Sequence, residues 1–428
     1  MGARTVKIVL IGAGSASFGL GTLRDIVQSP ELTGSQVALV DLNQQAVQDI
    51  ARLAQMMSDA VGAELSIMAT TERQEALPGA DFVIVSIERD RERLWQLDFQ
   101  VPVRHGIKQV LGENGGPGGL FHSLRNIPPL LAIARDMERL CPQALMVNFS
   151  NPMSRLCLAL ARYTHVSFVG LCHGVHNHRT RLGQIMDYDA ADMVPLAAGI
   201  NHFTWILELH SGSTGEDLYP LLRERSATYD PSFLPLSRYL FEKVGLFPSP
   251  GCDHAGEYLG WAWQFVGLKG PDLEGSERYR NQLWERIGRL LGGKEELGDL
   301  VTRRSGERAV DIISAMASGK GGYEWAVNLP NRGHIENLPD GVIVEVPATV
   351  SAGGIHGVHV GALPEGAAVP LRQQAAVQDL VVEAGVTGSR QVALQALLAD
   401  PVVQDARAAE VVLDELLAAQ ADYLPQFA

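Results

Sequence analysis

The chain has 428 residues, 46% of them apolar, and a formal net charge of −14. That is material for about two or three closely joined units with a large core, and the acidic balance, with pI near 5.3, excludes a polyanion-binding surface, which needs clustered lysine and arginine. No apolar run reaches the ~18 residues of a membrane helix, and the start through Met1, Arg4 and Lys7 lacks the apolar core of a signal peptide. A cytoplasmic protein with neither nucleic acid nor membrane as partner is expected. The four cysteines (Cys141, Cys157, Cys172, Cys252) are too scattered for a disulfide framework; Cys141 and Cys157 read as packing residues.

In chain order, the β-branched run 7–11 predicts a strand, followed at once by a glycine-rich turn and a helix over 20–27. A second strand over 36–40 ends at Asp41, and a helix follows over 46–57. Further strands are predicted at 81–87, 144–149 and 167–171. Strands alternating with helices indicate a parallel sheet covered on both faces. The stretch 88–119, rich in charge and glycine, reads as a long functional loop before a helix over 123–140. Beyond Gly199 the alternation fades: a strand over 202–210, helical patterns near Leu221 and over 279–291 and 309–316, a strand over 341–346 before Pro347, and an alanine- and leucine-rich helical tail over 369–424. The division expected is a Rossmann-type dinucleotide-binding domain over 1–198 and a catalytic, substrate-binding and oligomerisation domain over 199–428.

Gly12-x-Gly14 directly after a strand, with Asp41 closing the next strand, has the form of a dinucleotide fingerprint. Glycines let backbone amides approach a pyrophosphate at a helix N-terminus, and the acid accepts from ribose hydroxyls. Ser15 in the turn and Ser86 in the strand over 81–87 join them as candidate cofactor contacts. Ser17 stands where the third glycine belongs in strict register, with Gly19 two positions later. Asp41 favours NAD over NADP, because a carboxylate repels a 2′-phosphate. Cys172, His173 and His202 carry the remaining chemistry. A thiolate from Cys172 and an imidazole from His202 would leave coordination positions open, as a catalytic metal requires; a lone cysteine or histidine serves equally as interior packing, so spacing alone leaves both readings open.

Five motifs occur in order: the run 112–119 (GENGGPGG), Asn151-Pro152, Cys172-His173-Gly174, the run 199–202 (GINH), and Asn337-Leu-Pro with Val344-Glu-Val-Pro347. Together they resemble glycoside hydrolase family 4, the NAD- and metal-dependent glycosidases related to lactate and malate dehydrogenases, over nearly the whole chain. The resemblance implies an α/β fold, a doubly wound parallel sheet of Rossmann type with a C-terminal α+β domain. It also implies NAD and Mn²⁺, or another divalent metal, as cofactors, with Cys172 and His202 as metal ligands. The histidine after the cysteine resembles the branch acting on unphosphorylated α-glycosides (α-galactosides, α-glucosides or α-uronides). Glu113-Asn114 replaces the Asp-Thr usual in the α-galactosidases and galacturonidases, and 201–205 (NHFTW) resembles the galacturonidase-like members.

Most glycosidases use two carboxylates, but the NAD-dependent family stands outside that pattern. The resemblance implies oxidation at C3 of the sugar, deprotonation at C2, elimination and water addition. In that scheme His173 is the candidate acid for the leaving group, Asp253 the C2 base with His254 second, and Glu113, Asn114 and Asn151 the contacts to a small-molecule glycoside. The helical tail suits a homodimer or homotetramer. An NAD-dependent 2-hydroxy acid dehydrogenase or a non-catalytic NAD-binding sensor would share the cofactor half; the dehydrogenase has no need of a Cys–His metal pair.

Overall fold

The structure, a computed structural model, describes residues 5–306 and 308–428. Met1 and Arg4, cited above for the N-terminus, lie outside the described residues. The strands are β1 (Lys7–Ile11), β2 (Gln36–Val40), β3 (Ser66–Thr70), β4 (Phe82–Val85), β5 (Leu145–Asn148), β6 (Ser167–Gly170), β7 (Met193–Ile200), β8 (Phe203–Ser211), β9 (Phe247–Ser249), β10 (Gly322–Pro330), β11 (Ile343–Ser351) and β12 (Gly354–Gly357). They join in one sheet, in the order β3-β2-β1-β4-β5-β6-β10-β11-β7-β8-β9, with β12 on β11.

The first six strands are parallel. Their continuous apolar runs reflect burial on both faces. Ile8 and Leu10 pack with Val37, Leu39 and Ile84 on one face, while Val9 and Ile11 pack with Ala38, Val40, Val83 and Val85 on the other. The strand order reverses between β1 and β4, which opens a crevice at their C-terminal ends, where open α/β sheets bind ligands.

The remaining strands are antiparallel; they join the parallel half through Asn328 opposite Gly170, between β10 and β6, and a second narrow join inside the antiparallel part sets Glu345 opposite Gly199, between β11 and β7. Gly170 is obligatory at the first join, since a Cβ would lie 2.6 Å from the Met153 sulfur and 2.9 Å from Asn328 Cβ. Glu345 ties the second join to the first. Its carboxylate accepts from Asn328 Nδ2 and Asn201 Nδ2, both at 3.0 Å, and from the Thr204 hydroxyl at 2.5 Å.

Several expectations are corrected. The stretch 88–119 is not one loop: it contains the helix Arg91–Arg104, and the next helix starts at Gly116, with Pro117 in its first turn, and runs to Leu140. An edge strand, β3, precedes the strand expected third. The strand ending before Pro347 instead continues to Ser351, because Pro347 sits where the pairing with β10 shifts register and no ladder N–H is needed. The tail is three helices, Glu365–Thr387, Arg390–Ala399 and Ala406–Ala419, the first ended by Gly388 at φ +68°. No helix among the described residues is long and apolar enough to cross a membrane.

Candidate active site

A cavity of about 920 Å³ opens at the crevice, and Gly12, Gly14, Ser15, Asp41, Ser86 and Asn151 all line it. Its floor is the turn after β1. Gly12 has φ +92°, and a Cβ there would lie 1.9 Å from the Ser86 carbonyl oxygen. The N–H groups of Gly12 and Ala13 donate to the Val40 carbonyl at 2.9 and 3.1 Å. Asp41 fastens the turn from the side: one oxygen accepts the Gly14 N–H at 2.8 Å and the other the Asn43 N–H at 2.9 Å. Gly19 supplies the close approach of helix to turn, since its Cβ would fall 2.3 Å from the Ala13 carbonyl oxygen. The displaced third glycine is thus accounted for by packing.

The opposite wall is charged. Glu88 and Arg91 line the cavity and form an ion pair, while Arg91 also holds Glu113 at 2.8 Å. His122 bridges the same groups, with Nδ1 2.8 Å from the Glu113 carbonyl oxygen and Nε2 3.0 Å from the Glu88 carboxylate. Burial alone would raise the Glu88 carboxyl, but His122 and Arg91 outweigh it and hold it at about 2. Glu113 is likewise raised by burial and brought below its ordinary value chiefly by Arg91, then by His254.

Glu257, which the sequence reading left unused, ties this wall to the second half of the chain. Its carboxylate accepts the N–H groups of Glu113 (2.6 Å), Asn114 (2.7 Å) and Gly115 (3.4 Å), and Asn114 Nδ2 at 3.2 Å. One turn away, His254 holds Nδ1 3.6 Å from the same carboxylate, and its ring lies 4.6 Å from that of His202. His202, in the turn between β7 and β8, donates its N–H to the Tyr258 hydroxyl at 3.3 Å. Glu113, His254 and Glu257 form an acid–histidine group with atoms within 4.8 Å of one another. Of that group, Glu257 is the member already occupied by backbone donors.

Cys172 follows β6, with Sγ accepting the Gly174 N–H at 3.3 Å. Burial pushes its thiol up, the Glu345 charge adds to this, and a hydrogen bond with the Asn201 side chain works against it. Cys172 therefore meets Asn201, the residue preceding His202, at the seam. Nδ1 of His202 and Oδ1 of Asn201 are buried without a hydrogen-bond partner. Such orphaned acceptors beside a thiol fit a divalent ion. His173 begins the helix Gly174–Met186, its ring 6.0 Å from Phe149 of the cavity wall. Asn151 accepts the Met153 N–H through Oδ1 at 3.2 Å. Asp253 is not in the acid–histidine group. Its carboxylate pairs with Lys269, which outweighs the effect of burial and brings it below the ordinary range.

Glu257, His122, Glu88 and Arg91 escaped sequence reasoning. The available signals were faint: Glu257 stands one helical turn after His254, and His122 lies in a helix whose residues 116–127 are all buried.

A dinucleotide-type crevice beside a Cys–His seam defines an α/β enzyme with its site at the strand ends. The model of the family 4 glycosyl hydrolases matches residues 7–188, and that of their C-terminal domain matches residues 197–403. The chain belongs to this family, and its function is that of a glycosidase. It is 38% identical to an alpha-glucosidase of Erwinia rhapontici across 98% of each chain. The solved structure of lplD from Bacillus subtilis is similar at TM-score 0.88 and 28% identity, covering 96% of this chain and 100% of that one. A 6-phospho-alpha-glucosidase from gut microorganisms, solved with NAD and Mn²⁺, shares the fold at TM-score 0.85 and 21% identity, covering 99% of this chain and 100% of that one.

Proposed function

We propose that this glycosidase hydrolyses unphosphorylated α-glycosides (an α-glucoside, α-galactoside or α-uronide) through transient oxidation at C3, C2 deprotonation, elimination and water addition. The observation that carries the reading is that one cavity is lined both by the turn at Gly12 and Gly14 and by Asn151, Glu88 and Arg91, so that a nucleotide and a sugar would share a wall. When bound, NAD would supply a hydride acceptor, and a divalent ion such as Mn²⁺ would supply Lewis acidity towards the sugar.

Gly12, Gly14, Ser15, Asp41 and Ser86 would hold the dinucleotide, and the Asp41 charge would disfavour a 2′-phosphate. Cys172 and His202 would hold the ion; a thiol raised by burial must lose its proton to do so, which couples metal affinity to pH. Glu113, Asn114 and Asn151 would bind sugar hydroxyls. His173 would give the leaving group its proton. For the C2 proton, the imidazole of His254 is a better acceptor than Asp253. A carboxylate held down by Lys269 is a weak base at neutral pH, whereas the His254 ring lies 4.6 Å from that of His202 and keeps Nδ1 3.6 Å from the Glu257 carboxylate without a hydrogen bond to it. In this division of labour residues 1–198 would hold the nucleotide and also present Glu113, Asn114, Asn151, Cys172 and His173 to the sugar side, residues 199–428 would add His202 and His254, and the helical tail would serve a homodimer or homotetramer.

The test is a panel of nitrophenyl α- and β-glycosides and uronides with NAD and Mn²⁺ under reducing conditions. Cofactor-dependent release of nitrophenol from an α-glycoside is expected. Accumulation of NADH with a hydroxy acid, and no glycoside cleaved, would instead favour a dehydrogenase.

A further inference from the structure

We propose that Glu257 is a positioning residue of this enzyme: its buried carboxylate clamps the backbone of Glu113, Asn114 and Gly115 and thereby fixes the two loop side chains that face the sugar. That those side chains face the sugar rests on the proposed function; the clamp itself rests on geometry.

The Glu257 side chain is wholly buried. One oxygen accepts from three successive backbone N–H groups, and the other from Asn114 Nδ2 at 3.2 Å. These donors belong to the residues just before the helix Gly116–Leu140, the longest among the described residues. Its partial positive end favours an anion there. The carboxylate thus does for the loop what a bound anion does at other helix starts, but as part of the chain it fixes one loop geometry permanently.

Three neighbouring features surround that clamp. Gly115 has no room for a Cβ, which would lie 2.1 Å from the Glu257 carbonyl oxygen. Arg91 grips the Glu113 side chain at 2.8 Å, so the loop is held by its backbone from one side and by its side chain from the other. Beneath it, Arg155 is buried with Nε and Nη2 lacking hydrogen-bond partners, and the charges of Asp400 and Glu257 face it. Removing the charge at 257 would loosen the loop and leave that guanidinium less compensated.

Glu257→Gln preserves shape and deletes the charge. Charge-assisted bonds become neutral ones, and one orientation of the new amide meets Asn114 Nδ2 donor to donor. Glu257→Asp keeps the charge with a shorter reach. Backbone amide exchange is followed in the full-length protein without cofactor, alongside NAD affinity and KM for the best glycoside of the panel. In the wild type the amides of 113–115 should be protected. In Glu257→Gln they should exchange about 10-fold faster or more, KM should rise by at least a comparable factor, and the Kd for NAD should be unchanged, with Glu257→Asp intermediate. A residue that merely stabilised the fold would lower Tm without singling out these amides. Unprotected amides in the wild type, or a Glu257→Gln protein with wild-type exchange in the loop, would overturn the clamp. If Glu257→Gln does not fold, Glu257→Asp decides by the same reading, and the wild-type exchange decides if neither folds. Failure of the wild type to cleave any glycoside would remove the functional reading, yet the exchange data would still judge the clamp.

Discussion

At Gly12 a side chain has nowhere to go: the backbone sits at φ +92°, and a methyl group would meet the Ser86 carbonyl oxygen. Gly12→Ala should therefore displace the turn at a cost of about 1–3 kcal/mol, and NAD titration should show weakened binding; an unchanged Kd would mean that the turn does not cradle the nucleotide. Cys172 and His202 make a different demand. Cys172→Ser and His202→Ala should each abolish hydrolysis and weaken Mn²⁺ binding, read by electron paramagnetic resonance, while NAD binding should persist because the proposed nucleotide contacts lie in other loops. Whichever variant binds Mn²⁺ normally has not lost a ligand. The general base is separable in the same way. Loss of a general base typically costs about 10²–10⁴-fold, so His254→Ala should slow proton exchange at C2 by that order, whereas Asp253→Asn, which breaks only the contact with Lys269, should change it little. The reverse ranking would return the role to Asp253.

Between single residues and the sheet stand the segments that Glu88, Arg91 and His122 join: the end of β4, the helix Arg91–Arg104 and the start of the helix Gly116–Leu140. The Glu88 carboxyl lies at about 2 when folded, against an ordinary 4.5. The folded protein then binds fewer protons than the unfolded chain as the pH falls between these values. The stabilisation is fully present above the unfolded value and is lost as pH drops through about 2, on the order of 3 kcal/mol in all. Glu88→Gln should flatten the fall of stability with acid in urea titrations from pH 5 to 2, and lower stability at neutral pH by leaving Arg91 and His122 short of a partner. An acid limb as steep as the wild type's would show that the linkage lies elsewhere. This network was not legible in the sequence, where 88–119 looked like an open loop. Its charges balance one another in three dimensions, and the charged composition concealed a helix. Glu257 was hidden for a related reason: its partners lie 144 and 143 residues away. The positions of the turn at Gly12 and of Cys172-His173 could be read because each follows closely on a strand with a continuous apolar run.

On the scale of the whole molecule, the parallel half of the sheet was legible because burial on both faces writes a continuous apolar run into each strand. The edge strand β3 was not, since its residues are all partly or fully exposed. The antiparallel half was legible only in fragments, because β10 and β11 are inserted between β6 and β7, an order that no local pattern specifies. That insertion matters for chemistry, because it brings Asn201, His202 and Glu345 beside the end of β6, where Cys172 begins its own loop. The parallel and antiparallel parts of the sheet thereby meet at one seam, and the proposed reaction would draw on residues from both. A displacement at C1 would never break the bond between C2 and its hydrogen, whereas elimination must pass through loss and return of that proton. Hydrolysis in deuterated water should therefore yield sugar carrying deuterium at C2, without accumulation of NADH, and enzyme stripped of NAD and metal should be inactive until both are restored. Product with only protium at C2 after complete hydrolysis, or full turnover by the stripped enzyme, would sink the redox route while leaving the glycosidase family membership untouched.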